Sequence, residues 1–117
     1  MKPFRLLEKA LDFKANTITI TSRSPKKFRN NWVHDMQDYA SKIYENIFIA
    51  NEYRRYKNED KMKEYQMKAY FYIKIMTQTL EKAEREQCIP LKDEAELGQQ
   101  LGDIKDMFEG WMSIDRT

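Results

Sequence analysis

The sequence predicts an all-α protein, an antiparallel up-down-up-down four-helix bundle, and three observations predict it. Glycine and proline occur only three times each in 117 residues, which leaves few places to turn and argues against a sheet of many short strands. Apolar residues recur at spacings of three and four along several long stretches, the period of a helix with a buried face. The breaks between these stretches are only a few residues long, and short joints between long helices favour antiparallel neighbours. One domain spanning residues 1–117 is large enough to bury a single core without metal or disulfide support.

The first helix covers about residues 4–21, with Leu7, Ala10, Leu11, Lys14 and Ile18 along one face. Its last run, Thr17-Ile18-Thr19-Ile20-Thr21, is rich in β-branched residues that favour strand locally. No partner strand is visible elsewhere, so the run reads as the frayed end of the helix. Ser22–Lys27 is a break, with Pro25 suited to a first helical turn and Ser24 placed to cap the next helix.

The second helix, about residues 26–52, carries Trp32, Met36, Tyr39, Ile43, Ile47 and Ala50 on one stripe. Val33, Ala40, Tyr44 and Phe48 form a second stripe beside it. So wide an apolar band exceeds what one core-facing stripe needs and points to a homo-oligomer. The polar, basic joint Tyr53–Asp60 follows. A third helix, about residues 59–86, starts from an Asn58 cap with acids in its first turn. Its stripe is Met62, Tyr65, Ala69, Tyr72, Met76, Leu80 and Ala83, with Phe71 and Ile75 on a flank. Ile89-Pro90 ends the run, because proline disfavours helix at the residue before it.

The fourth helix, about residues 93–113, runs from Asp93 through Leu97, Leu101, Ile104, Phe108 and Trp111. Gly98 and Gly102 lie one turn apart within it. They read either as two tolerated glycines or as a smooth strip for close helix packing. Gly110-Trp111 sets a large indole beside backbone that a neighbour can approach closely.

The net charge of +2 hides an asymmetry. Residues 1–29 hold eight Lys/Arg against two acids, and residues 74–117 hold six against ten. In the expected topology the joints at 22–28 and 87–92 share one end of the bundle. There Arg23, Lys26, Lys27 and Arg29 face Glu81, Glu84, Glu86, Asp93, Glu94 and Glu96, so this cluster ranks second as a binding surface. At the other end the N-terminus meets the 53–60 joint. Lys2, Arg5, Arg54, Arg55, Lys57, Lys61 and Lys63 gather there with fewer acids, which makes that end the first candidate for an anionic partner. Such a basic run is also what a solvated joint looks like. Tyr53 and Tyr56 interleave it, placed either to stack on bases or to pack locally.

Catalytic and metal readings fail on inventory. His34 is the only histidine, and the Glu-x-x-His of a bundle di-metal site would need Glu where Asn31 stands. His34 reads as a surface partner of Asp38 one turn on, Asp35 and Asp38 as a solvated face, and the seven methionines as core. Cys88, the only cysteine, reads as a packed thiol and excludes an internal disulfide, which fits a reducing, cytoplasmic setting. The first residues are charged and amphipathic rather than a signal peptide, and no window suits a membrane span. The expectation is a non-enzymatic protein with no cofactor and no membrane partner.

Four segments carry a resemblance. They are Ser24-Pro25-Lys26-Lys27-Phe28, then Ile43-Tyr44-Glu45-Asn46-Ile47 with Ala50-Asn51-Glu52, then Tyr65-Gln66 with Ala69, and last Gly110-Trp111 with Ser113 and Asp115. In order and spacing, over nearly the whole chain, they resemble the four-helix-bundle family that includes the accessory variability determinant of diversity-generating retroelements. The same superfamily holds proteins encoded by intervening sequences in bacterial large-subunit rRNA genes. The resemblance implies a homopentameric ring with basic surface for nucleic acid. It also implies binding to a reverse transcriptase and to its template RNA or a DNA/RNA hybrid. The chain departs from the family pattern in its mild basicity and in Glu109 before the Gly-Trp pair. A structural or rRNA-associated bundle protein of the intervening-sequence kind is the alternative, and a plain helical dimerisation module a third.

Overall fold

The computed structural model describes residues 3–116, and the side chains of residues 5–112. It is an all-α four-helix bundle with principal extents of 45 × 22 × 19 Å. The helices are α1 (Pro3–Thr21), α2 (His34–Arg55), α3 (Glu59–Arg85) and α4 (Leu91–Arg116). Each of α1 and α3 packs against both α2 and α4. Side-chain pairings run in opposite senses along neighbouring helices. Gln37 Nε2 donates to Thr21 Oγ1 at 2.9 Å, and Lys14 sits over the Tyr44 ring seven residues earlier on α1 and seven later on α2. Likewise Tyr53 stacks on Tyr65 and Tyr39 on Tyr72 across α2 and α3.

The Thr17–Thr21 run is helical, and its burial pattern shows why. A strand would put residues 17, 19 and 21 on one side. Instead Thr17, Ile20 and Thr21 are buried while Ile18 and Thr19 are exposed, the helical period. The buried threonines donate their hydroxyls to the carbonyls of Phe13 and Thr17 at 2.8 and 2.7 Å, so neither hydroxyl is stranded in the core.

The inward face of α1 differs from the expected one. Leu6, Ala10, Phe13, Thr17 and Ile20 are buried, whereas Leu11 and Ile18 are exposed. The two stripes have the same spacing and differ by one residue, about 100° of rotation. Phe13 offers a larger apolar body than Lys14 at the equivalent place, and the helix turns to bury it.

The second expected helix, 26–52, does not begin as an α-helix. A 3-10 turn over Lys26–Phe28 leads into a π-turn over Arg29–Val33, and α-geometry starts at His34. Phe28 and Val33 are both buried, five residues apart. In an α-helix such residues lie about 140° apart, so a wider turn is needed to aim both at the core. Ser24 does not cap: Pro25 occupies that position with no side-chain cap bond. Asn58 does, its side-chain oxygen accepting from the Lys61 N–H at 3.2 Å. The fourth helix starts at Leu91, two residues ahead of Asp93.

The last two joints close in the same way. Lys57 and Gln87 adopt φ of 59° and 65°, the left-handed region glycine would normally take. Asn58 N–H bonds Tyr53 O at 2.9 Å and Cys88 N–H bonds Ala83 O at 2.8 Å, so each joint returns a donor across the final turn of its helix.

The core continues through α2, α3 and α4 much as the stripes predict, with Met36, Ile43, Ile47, Met76, Leu80, Leu97, Leu101 and Ile104 buried. Trp111 is 1% exposed and meets Phe108 edge-on at 5.6 Å. Its indole N–H has no acceptor among the described residues. A β-carbon added at Gly102 or Gly110 would meet nothing within 4 Å, so no helix in the bundle packs closely there. The methionines divide: Met36, Met62, Met76 and Met112 are buried, and Met67 is exposed.

Trp111→Ala is expected to cost about 3–5 kcal/mol of stability, read as a fall in melting temperature by circular dichroism. Gly102→Ala, in open space within a helix, should instead stabilise by roughly 0.4–1 kcal/mol in chemical denaturation, with unchanged helical signal.

Candidate nucleic-acid and partner interface

The end formed by the α2–α3 joint gathers most of the first-ranked cations. Arg54 and Arg55 stand in the last turn of α2, where the helix dipole favours positive charge. Lys57 projects from the left-handed joint residue, and Lys61 and Lys63 follow in the first turns of α3. All five are exposed. Arg5 is exposed on α1, and continuing the α1–α2 register sets it level with Tyr53. Lys2 lies outside the described residues.

These cations are not equally free. Arg55 pairs with Glu52 at 3.3 Å, Lys61 with Glu64 at 3.4 Å and Lys63 with Glu59 at 3.2 Å. The Lys61 bond holds the Glu64 carboxyl below the usual carboxylate range, and Glu64 in turn raises the Lys61 ammonium. Exposed pairs of this kind are screened and yield readily to a stronger anion. Arg54 and Lys57 have no ion pair among the described residues. With Glu59 and Met62 they line a shallow cleft of about 240 Å³.

The two tyrosines of the joint divide. Tyr53 is half-buried and stacks on Tyr65, with ring centroids 5.7 Å apart, so it packs locally. Tyr56 is 78% exposed, the ring an extended base could reach.

The joints 22–28 and 87–92 do meet at the other end. Arg23 pairs with Asp93 at 3.7 Å, and the Cys88 thiol donates to Ser24 Oγ at 3.7 Å. Within the subunit the neutralisation expected there is partial, and Arg23–Asp93 carries it. Glu86 pairs with Lys82 instead, and Glu96 accepts from Asn16 at 2.6 Å, clasping α1 to α4. Lys27 lies over the Phe28 ring, while Lys26 and Arg29 have no ion pair among the described residues. These two line a cleft of about 420 Å³ with Thr21, Ser22, Ser24, Pro25, Val33, His34 and Gln37. Sequence spacing had no means of finding it, because it depends on the π-turn.

His34 does not partner Asp38. Its Nδ1 lies 3.8 Å from Asp35, and Asp38 pairs with Lys42. Among the described residues no group of three or more His, Cys, Asp and Glu is placed to hold a metal ion, and no helix is long and apolar enough to cross a membrane.

Apolar side chains remain on the outside. Leu11 and Ile18 of α1 and Phe48 of α2 are exposed on one side, and Met67, Phe71 and Ile75 form a stripe along the outer face of α3. Most of the wide α2 band is absorbed inside the subunit, since Val33 and Ala40 are buried and Tyr44 is covered in part by Lys14. Glu109 also has a place: it accepts from Tyr70 Oη at 2.9 Å while Tyr70 stacks on Phe108.

No family model, curated protein or solved structure matches this chain.

Burial pushes the Cys88 thiol up from its ordinary value of 9.0, an effect only partly offset by the Ser24 hydroxyl. The folded protein therefore holds less of the reactive thiolate than the unfolded chain at the same pH. Alkylation by iodoacetamide should be slower in buffer than in urea at mildly alkaline pH. By linkage, the stability contributed by the neutral thiol is full below the ordinary value and is lost as pH rises above it. A Cys88→Ala protein should lack that part of the alkaline loss.

Proposed function

We propose that this chain is a non-enzymatic, cytoplasmic accessory protein of a diversity-generating retroelement. In this reading it assembles into a ring and holds a reverse transcriptase together with template RNA or a DNA/RNA hybrid. The four resembling segments motivate the reading. The observation that carries it is the exposed cationic end, where Arg54 and Lys57 have no ion pair among the described residues and Tyr56 is exposed beside them. Cations of this kind engage phosphates through contacts that release counterions, and an exposed ring beside them offers a stacking surface.

Assembly is supported by the two exposed apolar patches. They lie on different helices and differ in residue content, so a contact between subunits that joins one to the other is head-to-tail. A head-to-tail contact closes into a ring when its rotation permits. The polymerase partner rests on the resemblance alone.

RNA binding is expected to be weakened by Arg54→Glu with Arg55→Glu, and its dependence on salt flattened, while melting is unchanged. Fluorescence anisotropy of a labelled RNA across a salt series measures both. Changing Lys26 and Lys27 to Glu should do less, and the opposite ranking would place the main RNA surface at the wrong end. Light scattering in moderate salt should give a mass several times 14.2 kDa. Phe71→Glu, at a residue 54% exposed in the single chain, should lower that mass without lowering helix content. A wild-type monomer at micromolar concentration would overturn the ring.

A further inference from the structure

We infer that the cleft between the end of α1 and the π-turn is a second, separate anion site that takes the phosphate group of a small, nucleotide-sized ligand. Three features carry the inference. Its volume of about 420 Å³ falls in the range of small-molecule sites and exceeds that of the cleft at the opposite end. Its lining contains Lys26, Arg29 and His34 but no aspartate or glutamate, in a chain where acids pair with many of the cations. Thr21 and Ser22 already donate their hydroxyls to Thr17 O and Thr19 O, but the Ser24 hydroxyl and the second Gln37 Nε2 hydrogen are left to complete a phosphate's hydrogen bonds once a guanidinium and an ammonium have met its charge.

The wall is also braced. Gln37 Nε2 donates to Thr21 Oγ1, and that hydroxyl donates to Thr17 O, so one side is held by a chain of bonds running into α1. Ser24 on the opposite rim is tied to Cys88 at the α3–α4 joint. Buried Val33 closes the back, at the far end of the π-turn that begins with Arg29. Isolated π-turns are uncommon and concentrate at functional sites. Here the turn is needed to bury Phe28 and Val33 together, and it sets Arg29 at the mouth of the same cleft. The nearest acid in sequence, Asp35, lies 3.8 Å from His34 Nδ1 and is not part of the lining. The site is independent of the RNA surface proposed above, which lies at the other end of the bundle.

The test is titration of the full chain with adenosine 5′-monophosphate, inorganic phosphate and adenosine, followed by amide NMR shifts and calorimetry. Saturable binding of the monophosphate at millimolar or lower concentration is expected, with shifts centred on Ser22, Ser24, Arg29 and Gln37. Phosphate alone should cause the same shifts more weakly, and adenosine should cause none. Lys26→Gln with Arg29→Gln should weaken the monophosphate at least about tenfold, as loss of charge-assisted bonds predicts. Arg54→Gln with Lys57→Gln should leave it unchanged. Failure of RNA binding in the earlier test does not touch this result. No saturable shift with either phosphate ligand, adenosine binding as well as its monophosphate, or shifts confined to residues 54–63 would each overturn the site. Because the shifts are read on the unaltered protein, a variant that failed to fold would not rescue the proposal.

Discussion

The reversal of chain between α2 and α3 depends on one backbone closure, and much of the molecule depends on that reversal. Tyr56 and Lys57 leave the helix, Lys57 takes the left-handed conformation, and Asn58 both returns a bond to Tyr53 and caps the next helix. Left-handed backbone disfavours a β-carbon, so a lysine there is held by the bonds on either side. The closure brings Tyr53 onto Tyr65 and sets the pairing of the aromatic seam that continues to Tyr39 and Tyr72. Burial and the neighbouring Asp35 and Asp38 push the Tyr39 hydroxyl above its ordinary range. The same closure recurs at Gln87, where it delivers Cys88 against Ser24.

Charge follows from these closures. The C-terminus of a helix favours cations and the N-terminus favours acids, so a tight joint between two helices collects both. At the α2–α3 joint, Glu52, Glu59 and Glu64 take up three of the cations and leave Arg54 and Lys57 over. At the other end Asp35, in the first turn of α2, lies beside His34, and no acid among the described residues pairs with Lys26 or Arg29. Asp93, buried at the start of α4, pairs with Arg23. The unpaired charge at both ends is thus a consequence of where the helices stop, and each end presents it differently: on an open ridge in one case and inside a cleft in the other.

The faces between the ends are apolar where a lone bundle would be polar. Phe71 stands almost opposite the buried face of α3, with Met67 one turn before it and Ile75 one turn after. Residues four apart on a helix share a face, so the three make a continuous ridge. On α1 the residues left outside, Leu11 and Ile18, belong to the stripe that lost the competition for the core.

The sequence alone determined the number of helices, the places of the last two joints to within two residues, the Asn58 cap and most of the inward faces of the last two helices. These follow from local rules: a periodic stripe, a proline, an amide oxygen at a helix start. The resemblance added an expectation of function that local rules do not contain. Only the tertiary structure decided which of two equally periodic stripes α1 buries, because both have the spacing and just one fits against its neighbours. It alone decided that the second helix begins as a π-turn, since that depends on two residues five apart seeking the same core. It also decided which cations keep a partner. Ion pairing depends on reach across the folded surface, so Lys26 and Arg29, expected to face acids of the third and fourth helices, line a cleft whose lining holds no acid.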